Sequence, residues 1–366
     1  MQIFVNGRFL AQPVSGVQRY ARELLTALDH RLSADPDLAQ SLGPVTVLHP
    51  KGVNGPQRPG WTKIRLAELG GRTGHLWEQI NLVRASRGGC LLSLCGAGPL
   101  TVRRQLLVIH DANVFVSPEG FTRRYRAFHR IMRPLLAAHV ACLASVSRTA
   151  ARELAPYLGQ EEAAIRVIPN SADHILTVSP DPSTLHRFGL GHGRYILTVG
   201  NQSPNKNLAR LAAAHAQTDA PLLVVAGGTA PGLATSSIPD GPRIRHIGRV
   251  NDSELRSLYE GASGFVWPAL REGFGIPPLE AMALGIPVAS SQSTAMPEVL
   301  GQAPIYFDPL STEDIARAIR QLIGLTDEQR ALMIRAGRDR AARFGREQGV
   351  NSLLDALAVV RAAPSP

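Results

Sequence analysis

Cysteine is scarce in this chain of 366 residues. Only three occur, Cys90, Cys95 and Cys142, too few and too scattered for a disulfide framework or a zinc site, so buried or half-buried thiols are expected. Long apolar runs are missing as well. None approaches the roughly 20 residues of a membrane span. The opening stretch 1–7 reads as a strand and turn rather than a leader, since no basic flank or long apolar core follows, so a cytoplasmic location is expected. Acidic residues are short in one half only. Residues 1–172 hold 21 Lys plus Arg against 11 Asp plus Glu, and the remainder holds 18 of each. The whole formal charge of +10 therefore sits in the first half, nearly all of it as arginine. Such an excess invites nucleic acid, but the chain has no named module and no aromatic–basic interleaving, so nucleic-acid binding ranks last among the readings.

What is present describes an ordinary globular chain, 44% hydrophobic and 19% charged. Its length exceeds the usual limit of one core, so two domains are expected. Short apolar runs alternate with amphipathic stretches, which argues for a doubly wound α/β architecture. Strands are expected at 2–5, 45–49, 91–94, 106–110 and 141–146 in the first half. In the second they are expected at 195–199, 222–226, 244–247, 264–267 and 287–289. The boundaries that follow are a first domain over 1–172, a linker rich in turn formers over 173–192, and a second domain over 193–346. A last helix, about 347–362, is apolar at helical spacing.

The most informative run is Arg271-Glu272-Gly273-Phe274-Gly275-Ile276-Pro277-Pro278-Leu279-Glu280-Ala281-Met282. Two carboxylates eight positions apart bracket a glycine-rich turn between a strand-like run ending at Trp267 and a helix-forming stretch. Backbone N–H groups at Gly273, Phe274 and Gly275 can approach a phosphate closely, because glycine carries no side chain. The flanking carboxylates can accept hydrogen bonds from sugar hydroxyls. A second strand–loop–helix run, 196–208, places Lys206 where an ammonium can meet the same phosphate. Gly248-Arg249-Val250-Asn251 opens a further helix, with Asn251, Asp252 or Ser253 as its N-cap. His110-Asp111 ends an apolar run, at the kind of strand edge that lines a ligand crevice in open α/β sheets.

From Gly248 to Glu298 the pattern resembles the donor half of family 4 retaining glycosyltransferases. Their signature is a Glu, seven residues, a second Glu, then Ala-Met-x-x-Gly-x-Pro-Val. Glu272, Glu280, Ala281, Met282, Gly285, Pro287 and Val288 stand in that register. The resemblance implies a GT-B fold, two Rossmann-like domains facing a central cleft, with the terminal helix crossing back to the first. It implies Glu272 on the donor sugar, His110 lining the reacting centre, and Lys206 with the amides of 273–275 and Gly16 on the phosphates. It also implies Glu280 on the ribose hydroxyls and backbone at Val250 on the base. Asn201 departs from the pattern, standing where many members place a phosphate-binding arginine.

His75-Leu76-Trp77-Glu78-Gln79 resembles a motif of members that often use GDP-mannose. It makes Trp77 and Glu78, with Asp111, candidates on the acceptor side, although Trp77 serves equally well as a core aromatic. The implied reaction moves a hexose, mannose favoured, from a nucleotide diphosphate sugar to a glycan or polyprenyl-diphosphate-linked glycan. No separate cofactor and no metal are expected, since no Asp-x-Asp pair occupies a plausible donor loop. A sugar-nucleotide epimerase of the same fold is the alternative. Over 121–135, Phe121, Tyr125, Phe128, Met132 and Leu135 fall on one helical face and Arg123, Arg126, Arg130 and Arg133 on the other, with Pro134 kinking or ending the helix. The arginine face suits an anionic membrane surface, which would make the protein peripheral.

Overall fold

The computed structural model describes residues 1–53, 59–229 and 241–364. The chain divides into two compact units. One comprises Met1–Ala112, Phe128–Ser171 and the chain from Arg346 on; the other comprises Asn113–Ala127 and Ala172–Gly345.

The first unit is built on β1 (Ile3–Asn6), β2 (Val45–His49), β3 (Arg65–Glu68), β4 (Cys90–Ser93), β5 (Gln105–Val108), β6 (Cys142–Ser145) and β7 (Ile165–Val167). All pairings are parallel, in the order β3-β2-β1-β4-β5-β6-β7. The central strands are buried throughout and mostly apolar, as strands covered by helices on both faces must be. Cys90 and Cys142 lie in these strands, and burial raises the Cys142 thiol to about 11 and that of Cys95, just past β4, to about 12. At ordinary pH these are unreactive thiols.

The C-terminal helix Arg346–Ala362 belongs to this first unit and packs on helix Gly16–Ala34. Val350, Leu353, Ala356, Leu357 and Val360 supply its buried stripe. Ion pairs Arg31–Glu347 at 2.7 Å and Arg346–Glu23 at 3.1 Å flank the seam.

The second unit carries β8 (Tyr195–Val199), β9 (Leu222–Ala226), β10 (Ile244–Gly248), β11 (Gly264–Trp267), β12 (Val288–Ser291) and β13 (Ile305–Phe307). These are again all parallel, in the order β10-β9-β8-β11-β12-β13. In each sheet the order reverses beside its first strand. The reversals fall between β1 and β4 and between β8 and β11, and at such points the loops beyond the strand ends part to leave a crevice.

Several sequence expectations are corrected by these elements. Strands β3, β7 and β13 were not expected. The first is a polar, half-exposed edge strand, and the others have three residues each. The stretch 173–192 is not a bare linker but folds with the second unit, through helices Asp173–Thr177 and Thr184–Arg187. Residues 113–127 also group with that unit. Helix Arg123–His139 runs on through Pro134, and its buried residues are His129, Arg133, Leu136 and Ala137. Arg133 is thus turned inward while Leu135 is 47% exposed. The four arginines share no single outer face.

Gly227 shows how closely the strand ends meet in the second unit. Its φ is +134°, its N–H donates to Gly248 O at 2.7 Å, and a Cβ there would lie 2.0 Å from the carbonyl oxygen of Gly200. The obstacle is backbone, so it cannot rotate away. Gly227→Ala should therefore lower the unfolding free energy by about 3 kcal/mol or more, combining overpacking with a disfavoured φ. A urea melt reads this as a lower midpoint at unchanged slope.

Candidate active site

The loops after β8 and β11 flank the reversal of the second sheet, and Lys206, Glu272 and the turn 273–275 lie on them. After β8 the chain runs through Gly200-Asn201-Gln202-Ser203 into a single 3-10 turn, Pro204–Lys206. Asn201 Oδ1 accepts from the Ser203 N–H at 3.1 Å and its hydroxyl at 2.5 Å. The residue standing where an arginine was expected thus shapes the loop instead. Asn207 follows at φ +56°, a conformation asparagine tolerates better than most. Its Nδ2 donates to the carbonyls of Pro268 at 3.1 Å and Pro309 at 2.8 Å. Leu270 N–H donates to Asn205 O at 2.7 Å. Polar side chains thus stitch the lysine loop to the loop after β11.

Those bonds bring two expected residues together. Lys206 Nζ lies 2.6 Å from Glu272 Oε1, with both side chains about one-sixth exposed. The ammonium also sits 4.6 Å over the Trp267 ring, the last residue of β11. Glu272 is held from behind by Thr294, whose hydroxyl accepts from the Glu272 N–H and donates to the Glu272 carbonyl, each at 3.0 Å. The structure therefore presents a cation and a carboxylate as one fixed pair.

Beyond Glu272 the turn Gly273-Phe274-Gly275 is buried, with Phe274 packed edge-on against Phe344 at 5.3 Å. Gly275 caps helix Ile276–Ala283 at φ +90°. Pro277 and Pro278 occupy the first turn of that helix. Their fixed φ starts the helix well, but neither has an N–H. The donors that can face an anion here are consequently those of 273–275, before the helix, and of Ile276, its first residue.

Glu280, on the same helix, is 3% exposed. Its Oε2 accepts from the Tyr259 hydroxyl at 2.8 Å, and its Oε1 lies 2.8 Å from His174 Nε2. Sequence reasoning missed both neighbours. His174 lies in the stretch read as a linker, and Tyr259 is 21 residues distant in sequence. Val250 precedes Asn251, which is the N-cap of helix Asp252–Gly261. Asn251 Oδ1 accepts from Glu254 N at 3.0 Å and Glu254 Oε2 accepts from Asn251 N at 2.8 Å.

The remaining candidates lie in the first unit. His110 is two residues past β5, and its Nε2–H donates to Leu94 O at 2.8 Å, which leaves Nδ1 as the acceptor of the ring. Burial lowers its pKa, with Arg133 adding to the effect, while the Leu94 bond and Asp111 oppose it; the imidazole is neutral. Tyr20 meets its ring edge-on at 4.7 Å. Gly16 is the exposed first residue of the long helix Gly16–Ala34. Asp111 is half-buried, and its carbonyl accepts from Arg133 Nη1 at 3.1 Å.

Trp77 is a core residue. It is 1% exposed among Phe4, Leu48, Leu82 and Leu91, with Nε1 donating to Leu69 O at 2.9 Å. Glu78, one residue on, is instead the centre of a polar cluster. Its Oε1 meets Asn6 Nδ2 at 2.8 Å and Arg8 Nε at 3.0 Å, and its Oε2 meets His75 Nδ1 at 2.7 Å. Burial alone would raise its pKa, but His75, Arg8 and Asn6 together hold the carboxyl below the usual range. Asn6 ends β1 and Arg8 follows it, so this cluster stands at the reversal of the first sheet.

The family model described as glycosyl transferases group 1 matches residues 189–340. O-antigen chain mannosyltransferase B of Escherichia coli is 28% identical over 277 residues, covering 70% of this chain and 71% of that protein. O-antigen chain mannosyltransferase RfbU of Salmonella typhimurium is 24% identical over 340 residues, covering 89% and 92%. Among solved structures, sucrose-phosphate synthase from Thermosynechococcus elongatus superposes with a TM-score of 0.69 at 18% identity, over 97% of this chain and 98% of that one. HepE from Anabaena, in complex with UDP and glucose, superposes with a TM-score of 0.72 at 14% identity, over 98% and 99%. Two parallel-sheet Rossmann-like units of this order are the GT-B fold; the second unit matches the group 1 glycosyl transferases over residues 189–340, and the chain is similar to mannosyltransferases.

Proposed function

We propose that the protein transfers mannose, with retention at the anomeric carbon, from a nucleotide diphosphate sugar, GDP-mannose first among candidates, to a glycan or polyprenyl-diphosphate-linked glycan. The observation that supports this most is the Lys206–Glu272 pair at the reversal of the second sheet. A diphosphate arriving there offers Lys206 a stronger partner than one carboxylate, which frees Glu272 to accept from hydroxyls of the donor sugar. The amides of 273–276 add fixed dipoles on the leaving side. Gly16 supplies a further amide for the donor phosphates, Val250 the backbone contact to the base, and Glu280 the contact to the ribose. His110, neutral with Nδ1 as acceptor, takes a hydroxyl of the donor sugar, and Glu78 and Asp111 serve the acceptor.

In the reaction the bond from the anomeric carbon to the β-phosphate oxygen breaks, and the acceptor oxygen bonds to that carbon on the same face. The acceptor proton passes to the departing phosphate oxygen. Lys206 and the turn amides stabilise the charge that builds there, so the step needs no metal. The names of the relatives support mannose as the sugar. A nucleotide donor supports a cytoplasmic location, with the exposed Arg123 and Arg130 available to an anionic membrane surface.

The test is a thermal-shift series with GDP, UDP and dTDP, followed by donor consumption with and without a lipid-linked glycan. Ligand bound to the native state raises the midpoint by mass action. GDP should give the largest shift, and GDP-mannose should be consumed only with acceptor present. Acceptor-independent conversion of the donor into an epimer would overturn the transferase reading.

A further inference from the structure

Residues 173–187, rich in turn formers, are fastened to helix Asp252–Gly261 of the same unit. Arg256 Nη1 donates to the carbonyls of Ile175 at 3.2 Å, Leu176 at 2.8 Å and Val178 at 2.8 Å. The Ser257 hydroxyl donates to Asp181 O at 2.8 Å, and Asp181 N–H donates to Ser253 O at 3.2 Å. This docking brings helix Asp173–Thr177 against helix Ile276–Ala283 and sets His174 beside Glu280.

His174 is 4% exposed. Its Nε2 lies 2.8 Å from Glu280 Oε1, yet the ring N–H does not point along the line joining them, and neither ring nitrogen has an aligned hydrogen bond. A buried imidazole without aligned partners is costly, and a position that only needed filling would favour an apolar side chain. The other oxygen of Glu280 takes the Tyr259 hydroxyl. Two groups from two different elements thus face one carboxylate, the Tyr259 hydroxyl bonded to one oxygen and the His174 ring set against the other, and restrict its rotation.

We propose that His174 is a positioning residue for nucleotide recognition. With Tyr259 it sets the Glu280 carboxylate to accept from the 2′ and 3′ hydroxyls of the nucleotide, so that the protein discriminates ribonucleotides from nucleotides lacking them. This rests on the ribose contact proposed above for Glu280. A hydrogen bond to a charged group is worth about 1.5–3 kcal/mol, so the ribose diol should tighten binding at least roughly tenfold.

The experiment titrates GDP and 2′,3′-dideoxy-GDP, with UDP and its dideoxy counterpart in parallel, into wild type, His174→Phe, His174→Gln and Tyr259→Phe. In wild type the ribonucleotide should bind at least tenfold tighter. His174→Phe should bring that ratio close to one by weakening the ribonucleotide alone. His174→Gln, which keeps a donor, should recover most of it, and Tyr259→Phe, which loses only a hydroxyl, should lower it. In turnover, KM for the donor should rise more than kcat falls. A ratio left at its wild-type value in His174→Phe, or an equal loss for both ligands, would overturn the proposal; if His174→Phe does not fold, an undiminished ratio in Tyr259→Phe joined to an equal loss in His174→Gln does the same. Absence of discrimination in wild type would instead remove the ribose contact itself, and His174's role with it.

Discussion

Glu272→Ala should lower kcat by about 10²–10³-fold, the loss typical when one group that stabilises a charged transition state is removed. Nucleotide affinity should move the other way or stay level. In the free protein Glu272 holds the Lys206 ammonium at 2.6 Å. Donor phosphates must compete with that carboxylate, and alanine removes the competitor. Stopped-turnover assays and calorimetric titration of the nucleoside diphosphate separate the two effects. A variant that turns over at the wild-type rate would remove Glu272 from the reaction. One that loses nucleotide binding in step with kcat would make its role structural.

Lys206→Met should lose both affinity and rate. The fixed cation over Trp267 is gone, and the Glu272 carboxylate, still held through its backbone by Thr294, now repels the diphosphate. The loss in kcat should again be about 10²–10³-fold, since the leaving group loses its main point charge. Wild type should bind a nucleoside diphosphate more tightly than the monophosphate, and in this variant the difference should shrink. The double variant Lys206→Met/Glu272→Ala should bind nucleotide better than Lys206→Met alone, because the repelling carboxylate is removed too. That non-additivity is the signature of a directly interacting pair. Strict additivity would mean that the pair does not act through one ligand.

The contrast between these two residues and their supports shows what was legible before the structure. Lys206 and Glu272 stand out because turn formers surround them at the ends of apolar strands. The roles of Trp267, Thr294, Asn207 and Tyr259 did not, because the contacts described above for each join residues far apart in sequence, which leaves no local pattern. The central strands were legible as continuous apolar runs, such as 195–199 and 222–226, since burial on both faces selects for that composition. Edge strand β3 is Arg65-Leu66-Ala67-Glu68, half-exposed, and carries no such mark.

Helix Arg123–His139 is the instructive failure. Its apolar stripe suggested an outward arginine face, but packing selected His129, Arg133, Leu136 and Ala137, rotating the buried side part of a turn away. A guanidinium on a long apolar stem can be buried when its head finds a carbonyl, here that of Asp111 at 3.1 Å. Periodicity counts residue types and cannot see such a partner. Glu280 is a subtler case. Its place in the motif was legible, while its burial between His174 and Tyr259 depended on a segment whose composition spoke only of turns.

The central claim is that the diphosphate of the donor is gripped by the joined loops after β8 and β11. Hydrogen exchange with and without saturating GDP addresses it directly, because amides that contact or close over a ligand exchange more slowly. The expected result is slowed exchange concentrated in 200–208 and 271–282, with a smaller effect at 248–252, and its disappearance from 200–208 in Lys206→Met. Slowing confined to other parts of the chain, with GDP demonstrably bound, would contradict the account.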